Sequence, residues 1–274
     1  MGHNTISIFY HRDGWHHLME AIRRYLLDPS IAASLASWHV YLGVHRGDHI
    51  TVQLWPARTG EEVETAFIGY VADYLVRRPS PPALIELPVR TWFKPFQNNS
   101  IRLNVDGMEA FYSDEEVERG LRHQLSVSMT AALSNEVIDE DCAGAFALYM
   151  YSGLVRAGHE RLSDAAAAVL ALQCRQGGDD PSSGELQWDE KLNGIGAIIG
   201  DVWDKRDYRR PDMCWLDEWM DYCRRHLNVF TFAESFCLIG HMIRQHSGLS
   251  NKDLPQLFKK LFTEAIIPIN HRYE

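Results

Sequence analysis

Between Trp38 and Pro56 apolar and polar residues alternate with a period of two on either side of Arg46-Gly47-Asp48, the pattern of a β-hairpin. A three-residue loop there sets Val44 opposite Ile50, Leu42 opposite Val52 and Val40 opposite Leu54, which makes one face wholly apolar and buried. The other face then carries His45 opposite His49, Gly43 opposite Thr51, Tyr41 opposite Gln53 and His39 opposite Trp55. That polar face is either a solvated sheet surface or a reaction surface of hydrogen-bonding and proton-carrying groups, and alternation alone leaves both open. As a side chain on a wet face, Gln53 is expected to tolerate replacement by Ala with little loss of stability, whereas Leu42→Ala opens a core cavity.

Around this hairpin the periodicity predicts a strand over Thr5 to Tyr10 and a helix over Trp15 to Leu27, stopped by Asp28-Pro29. A second helix spans Glu61 to Val76, with Val63, Phe67, Val71 and Tyr74 or Leu75 as its apolar stripe, before a breaker from Arg77 to Pro82. Two more strands are expected at Arg90 to Phe96 and Ser100 to Val105. The class is therefore α+β. The order β-α-β-β-α-β is that of a ferredoxin-like split β-α-β unit with a mostly antiparallel sheet, here with one additional strand.

From Ser113 the pattern changes. Ser113 to Glu116 reads as a capping box, and helical segments follow to the end: Asp114 to Leu133, Glu140 to Ala157, Asp164 to Cys174, Asp189 to Lys205, Trp215 to Leu227, Ala233 to His246 and Leu254 to Thr263. Gln176 to Gln187, with Gly177-Gly178, is a loop of turn formers. The organisation is a sheet part over residues 1–112 and an all-helical part over 113–274, joined as one compact unit. The apolar, aromatic helix from Ala143 to Val155 is either buried on all sides or covers a two-fold contact, and a homodimer is expected from the second option.

A formal charge of −10 argues against a broad nucleic-acid footprint, and the basic cluster Lys205, Arg206, Arg209 and Arg210 reads as a solvated loop. The five cysteines are odd in number and form no Cys-x-x-Cys, which fits a reducing, cytoplasmic setting. With no basic start followed by an apolar run and no stretch of eighteen uninterrupted apolar residues, neither export nor membrane insertion is expected.

No phosphate-binding Gly loop, Gly-x-Ser-x-Gly elbow or His-Glu-x-x-His is present. The hairpin histidines lack a carboxylate or cysteine at a diagnostic spacing, so neither metal nor other cofactor is expected. Candidate chemistry rests on the polar hairpin face, on the turn at Asn98 and Asn99 with Arg102 behind it, and on a late helix. There Glu234, Leu238, His241 and Gln245 share one face, which can turn His241 toward a cleft as a proton carrier. Asn98 and Asn99 are also ordinary turn formers.

Three places resemble one family, the thiopeptide-type bacteriocin biosynthesis domain, which also forms the elimination domain of tRNA-dependent lanthipeptide dehydratases. They are the opening strand and helix from Ile8, Phe9, Tyr10 and His11 to Trp15, the hairpin with Gly47, Asp48 and His49, and the late Gly240, His241, Met242 and Leu249. In the family these resemble a strand carrying Gly-x-His-x-Arg-x-Arg and a helix carrying His-Met-x-x-Asn-Arg. The resemblance implies that the two strand arginines of the elimination enzymes hold the glutamyl carboxylate of the activated side chain. Here those positions are Thr51 and Gln53, and Arg244 stands in the helix motif without the Asn-Arg pair. Threonine and glutamine offer neutral hydrogen bonds where arginine offers a bidentate charged grip.

Stand-alone members of the family without that grip include pyridine synthases. The resemblance implies that these join two dehydroalanines of a modified precursor peptide in a formal [4+2] cycloaddition, then lose water and the leader peptide. Such a reaction needs positioned alkenes and proton donors and acceptors, and it needs no metal. His49, Tyr41, His241 and Gln53 are then the expected catalytic groups, and His39, Thr51, Asn98, Asn99, Arg102 and Gln245 the substrate contacts. Expected partners are the precursor peptide, leader and core, and the other maturation enzymes. Two alternatives stand beside this: a glutamate-elimination lyase using Arg102 or Arg46 for the carboxylate, and a leader-binding subunit without chemistry.

Overall fold

The computed structural model describes residues 5–44, 46–58, 62–81, 96–105, 116–134, 142–161, 163–165, 167–169, 198, 201–203 and 213–248. The chain divides into two units, residues 1–143 with 245–248, and residues 144–244 with 249–274. The first unit takes in a helix beyond the composition change at residue 113. Outside the described residues lie His45, nearly all of the strand expected at Arg90 to Phe96, the capping Ser113 and the loop from Gln176 to Gln187. So do the cluster from Lys205 to Arg210, the helix from Leu254 to Thr263, Leu249, and much of the helices expected after Asp164 and Asp189.

In the first unit β1 (Thr5–Phe9), β2 (Leu35–Gly43), β3 (His49–Pro56) and β4 (Ser100–Leu103) form one sheet, in the order β2-β3-β1-β4 with every neighbouring pair antiparallel. Helix α1 (Trp15–Leu26) follows β1, and α2 (Pro29–Ala32) is a single turn capped by Asp28, whose side chain accepts from the Ser30 amide at 2.9 Å. The stop expected at Asp28-Pro29 is thus a break followed by one more turn, with proline at its tolerated first position. Helix α3 (Glu62–Arg77) follows β3.

The apolar face of the sheet carries Ile6 and Ile8 of β1, Val40 and Leu42 of β2, and Ile50, Val52 and Leu54 of β3, all buried. Leu18, Met19, Ile22 and Leu26 of α1 and Phe67 and Val71 of α3 are buried with them. Each such side chain contributes about 1.5–3 kcal/mol on burial, so this layer anchors the unit.

Helix α4 (Glu116–Ser134) has two working faces. Leu121, Leu125, Met129 and Ala132 recur at helical spacing and are buried, and the helix packs along α1. A second stripe lies along β2. The Val40 amide donates to Ser126 Oγ at 2.9 Å, Ser126 Oγ donates on to the Arg122 carbonyl at 2.8 Å, and His123 Nδ1 meets the Trp38 carbonyl at 3.1 Å. Groups on the outer edge of β2 are therefore satisfied by a helix instead of a further strand.

The hairpin register corrects the expected pairing. Leu42 faces Ile50, Val40 faces Val52 and Trp38 faces Leu54, so the partners slip by two positions and the connection lengthens to residues 44–48. Arg46 (φ 60°) and Gly47 (φ 124°) turn that loop in the left-handed region. Val44 falls in it and is 57% exposed, against the expected partnership with Ile50. A slip of two keeps every side chain on its own face, whereas a slip of one would have inverted both faces.

In the second unit lie α5 (Cys142–Gly158) from Gly144 onward, α6 (Cys214–Leu227), which packs on it, and α7 (Phe232–Ser247) as far as Arg244, with Ile239, Met242 and Ile243 buried. Trp219 Nε1 donates to the Met150 carbonyl at 2.8 Å, and Gly153 gives room to the Trp219 ring, which would lie 2.9 Å from an added Cβ. Phe146, Met150, Leu154 and Val155 are fully buried, and Tyr149 and Tyr151 nearly so, which is the first of the two options for this helix. The motive for a two-fold contact on α5 is thereby removed. Among the described residues every strand precedes residue 104, every element from 116 onward is helical, and no helix is long and apolar enough to cross a membrane.

Candidate functional site

The polar face of the sheet is a grid built by strand register. Tyr41, Thr51, Ser7 and Arg102 are successive cross-strand partners and form one row; Gly43, His49, Phe9 and Ser100 form the next. His39, Gln53 and Thr5 form a third, and Asn104 closes it by accepting the Thr5 amide at 2.9 Å. Rows lie about 7 Å apart along a strand.

This face is not wet. His39, His49 and Gln53 are each 1% exposed, Tyr41 and Thr51 are buried, and Ser7 has no exposed surface. The solvated-sheet reading is therefore excluded, and so is the expectation that Gln53 stands apart from the core. The face opens at its β4 end, where Arg102 is exposed and Ser100 half-buried.

The buried groups satisfy one another. The Tyr41 hydroxyl donates to Gln53 Oε1 at 3.2 Å, Gln53 Nε2 donates to Thr5 Oγ1 at 3.2 Å, and the Ser7 and Thr51 hydroxyls are 3.4 Å apart. His39 Nδ1 lies 3.1 Å from the Tyr41 hydroxyl, and its Nε2 lies 3.3 Å from the Arg119 carbonyl. A carbonyl only accepts, which assigns the His39 proton to Nε2 and leaves Nδ1 to accept from Tyr41. One phenolic proton thus stands between two acceptors, Gln53 Oε1 and His39 Nδ1.

Two residues not anticipated from the sequence close over this network. Arg122 of α4 is 6% exposed; its Nη1 donates to Gln245 Oε1 at 2.9 Å. His246 is fully buried, its ring centroid 4.5 Å from that of Tyr41 and its Nε2 3.2 Å from the Arg122 carbonyl. Both carry a sequence signal. Arg122 follows Leu121 and precedes Leu125 in the buried stripe of α4, and His246 continues the Ile239, Met242, Ile243 stripe at helical spacing. Residue 248 then passes so close to β2 that a Cβ there would sit 2.6 Å from the Leu42 carbonyl oxygen, and only glycine fits at its φ of 67°.

These surroundings set the protonation states. Burial holds His39 neutral, lowering its pKa to about 2, with His246, Arg122 and His123 adding repulsion and the Arg119 carbonyl working the other way. Burial likewise raises the Tyr41 phenol well above its usual value, and nearby Arg122 offsets part of that rise. Tyr41 is therefore a proton donor across the physiological range.

His49 occupies the adjoining row. Its Nδ1 meets the Gly47 carbonyl at 2.7 Å, which assigns a proton to Nδ1, so that in the neutral ring Nε2 is the accepting nitrogen. The imidazole fills the place of a missing side chain at Gly43, where a Cβ would lie 2.2 Å from Nε2. Phe9 lies tilted beside it with centroids 5.0 Å apart and reaches Phe96 at 4.8 Å, and Arg46 covers Phe96 at 3.8 Å with Arg102 5.6 Å away.

The remaining expected site residues have other surroundings. Asn99 Oδ1 accepts from the Ser80 amide at 2.8 Å and Asn98 Nδ2 donates to Ser80 Oγ at 2.9 Å and to the Pro81 carbonyl at 2.7 Å, so both asparagines tie their turn to the segment after α3. His241, expected to face a cleft, is exposed, and its Nδ1 accepts from Arg244 at 2.5 Å. Among the described residues no three His, Cys, Asp or Glu side chains converge as metal ligands.

No protein-family model matches the chain, and no curated protein matches it. Solved structures of similar fold include the pyridine synthase TbtD from thiomuracin biosynthesis, with a TM-score of 0.55 at 15% identity over 97% of this chain and 96% of that one. They also include the tRNA-dependent lantibiotic dehydratase MibB from Microbispora sp. 107891, with a TM-score of 0.54 at 11% identity. That alignment covers 99% of this chain and 28% of the dehydratase, so the chain spans little more than a quarter of its length. The family resemblance read from the sequence holds at the level of the fold, which is pyridine-synthase-like.

Proposed function

We propose that this chain matures a peptide natural product, acting on a precursor that carries dehydroamino acids and closing a six-membered nitrogen heterocycle by formal [4+2] cycloaddition with loss of the leader peptide. The observation that carries the reading is the buried, neutral hydrogen-bonded chain from Tyr41 through Gln53 to Thr5 on this fold, with Thr51 and Gln53 in the strand positions where the family resemblance implies arginines. We read the strand order β2-β3-β1-β4, with helices after β1 and β3, as the split β-α-β arrangement, which makes β3 an inner strand and keeps its polar groups away from an edge.

On this reading the substrate enters from the β4 end past Arg102 and Ser100. For the amide-to-iminol shift Tyr41 gives its proton to the amide oxygen and takes up the amide N–H proton in return, so the phenol is restored, and neutral His39 and Gln53 fix its direction. In the later eliminations His49 Nε2 takes the carbon-bound proton and passes it to the departing group, so that water and then the leader peptide leave as neutral molecules. Thr51 hydrogen-bonds a backbone amide of the peptide, and Gln245 holds Arg122 in place. His241 is left out of the proton-handling set because it is exposed and bound to Arg244. Holding two alkenes in one orientation is worth about 7–11 kcal/mol where the bound geometry is close to that of reaction, so the sheet's rigidity is itself a catalytic resource.

Incubating the protein with a bis-dehydroalanine precursor and following leader release and ring formation by mass spectrometry tests the reading. Ring formation that is slowed by about one to two orders of magnitude in Tyr41→Phe supports it, and absence of ring across several precursors overturns it. One observation favours a second reading, elimination of glutamate from glutamylated Ser or Thr. Arg122 brings a buried guanidinium to the same face from α4, whereas Arg46 and Arg102 flank Phe96. Dehydroalanine formation from a glutamylated peptide, abolished in Arg122→Gln, would establish the lyase over the cyclase.

A further inference from the structure

Helices α1 and α3 leave a groove of about 420 Å³ between them. Tyr70 binds the walls together by donating its hydroxyl to the Ala21 carbonyl at 3.1 Å. Arg24 stands on the α1 wall, and Arg77 and Arg78 stand at the end of α3, all exposed, while Glu20 is the only carboxylate of the lining. Glu20 pairs with Arg24 at 2.5 Å, and Arg77 Nε donates to the Asp73 carbonyl at 3.1 Å, which orients its guanidinium along the helix end. The chain as a whole carries −10, so three guanidinium groups against one carboxylate make a local reversal of sign.

We propose that this groove binds an acidic segment of a peptide, and that in the function proposed above, on which this identification rests, it holds the precursor away from the reacting residues. Guanidinium groups on both walls match two carboxylates spaced along an extended segment, each by a planar two-pronged contact. The rings of Tyr70 and Tyr74 between them offer flat apolar surface to the intervening side chains. The volume lies within the 300–1,000 Å³ usual for ligand sites, at roughly the size of a few side chains. The negative charge of the rest of the chain disfavours a long polyanion, which would extend beyond the groove onto repelling surface.

The full chain is titrated into a fluorescein-labelled peptide of alternating Glu and Leu, with a Lys and Leu peptide, a single-stranded oligonucleotide and anionic vesicles as comparisons. Binding of the acidic peptide alone is expected, weakened by added salt and by about tenfold in Arg77→Glu. Glu20→Gln removes the internal competitor and is expected to tighten binding about two- to fivefold, a gain that a merely structural role for the pair would not produce. If Arg77→Glu lowers the melting temperature, Arg24→Gln and Glu20→Gln decide with opposite expected signs. No binding of the acidic peptide, tighter binding of the oligonucleotide or vesicles, or unchanged affinity in folded variants overturns the proposal. A protein that forms the ring but binds no acidic peptide refutes the groove alone; one that binds the peptide but forms no ring on any precursor refutes the cyclase reading alone.

Discussion

Tyr41 donates its hydroxyl proton to Gln53 Oε1 at 3.2 Å, with both residues buried on one face of the sheet. Two neutral side chains satisfying each other out of water cost little, but removing either deprives the other of one hydrogen bond in a buried place. Tyr41→Phe is therefore expected to lower stability by about 1–3 kcal/mol and turnover by one to two orders of magnitude. Gln53→Ala is expected to lower stability as well, because the Tyr41 hydroxyl and Thr5 Oγ1 both lose a contact. Urea unfolding and turnover measured on the same preparations check this, and an unchanged midpoint in Gln53→Ala would contradict the burial of this row.

His39 gives stability a pH dependence. Its folded pKa is depressed to about 2, so between that value and the free histidine value of about 6.5 the unfolded chain binds a proton that the folded one does not. The sign follows: the contribution is whole above about pH 6.5 and declines as pH falls, by at most about 1.4 kcal/mol per unit. Unfolding free energy at pH 7.5 and 5.5 should differ accordingly, and His39→Gln, which keeps a donor for the Arg119 carbonyl, should shrink the difference.

A separate acid window belongs to Asp48. Burial would raise its pKa, but Arg12 overcomes this through a two-pronged contact, Nη2 to Oδ1 at 2.8 Å and Nε to Oδ2 at 3.0 Å, and holds it below the usual carboxylate value. A depressed carboxyl stabilises the fold above its unfolded value of about 4 and loses that contribution as pH falls through the folded value. Arg12 is 47% exposed, so solvent screening keeps the pair to about 1 kcal/mol or less. Arg12→Ala should lower the melting temperature at pH 7, and its difference from the parent should shrink as pH falls through the depressed folded value of Asp48.

Gly43→Ala tests the seat of His49. The added methyl would occupy the space of the imidazole, 2.2 Å from Nε2, and the ring must turn away from the Gly47 carbonyl. A strand alanine has no backbone penalty, so turnover is expected to fall by an order of magnitude or more while the melting temperature changes by a few degrees. Equal activity of the variant would remove His49 from the reaction.

The alternation in Thr5 to Phe9 and Trp38 to Pro56 carried the sheet, its two faces and the grouping of Tyr41, Gln53, Thr51 and His39, because side-chain period survives a slip of two. The slip itself was hidden in Arg46, a non-glycine residue at φ 60° that the expected three-residue turn did not anticipate. Whether the polar face was wet could not be read from strands alone, because its cover comes from Arg122 and His246, 124 residues apart and on different helices. Arg122 and His246 each occupy a position of apolar periodicity, and reading them as intrusions into a stripe would have located the cover. The paired asparagines show the converse, since Asn99 turns the chain at φ 58° and the contacts of both with Ser80 and Pro81 tie that turn to the segment after α3.

The lie of α4 along β2 has a consequence for how the protein behaves in crowded solution. An uncapped edge strand with alternating apolar residues is a template on which a second chain can add its own strand. Ser126 and His123 occupy the Val40 amide and the Trp38 carbonyl that such an intruder would need. Fraying of α4 would thus convert the folded chain into a seed for β-sheet aggregates before the rest of the sheet had unfolded, and the hydroxyl of Ser126 works as a gatekeeper of colloidal behaviour as well as a helix side chain.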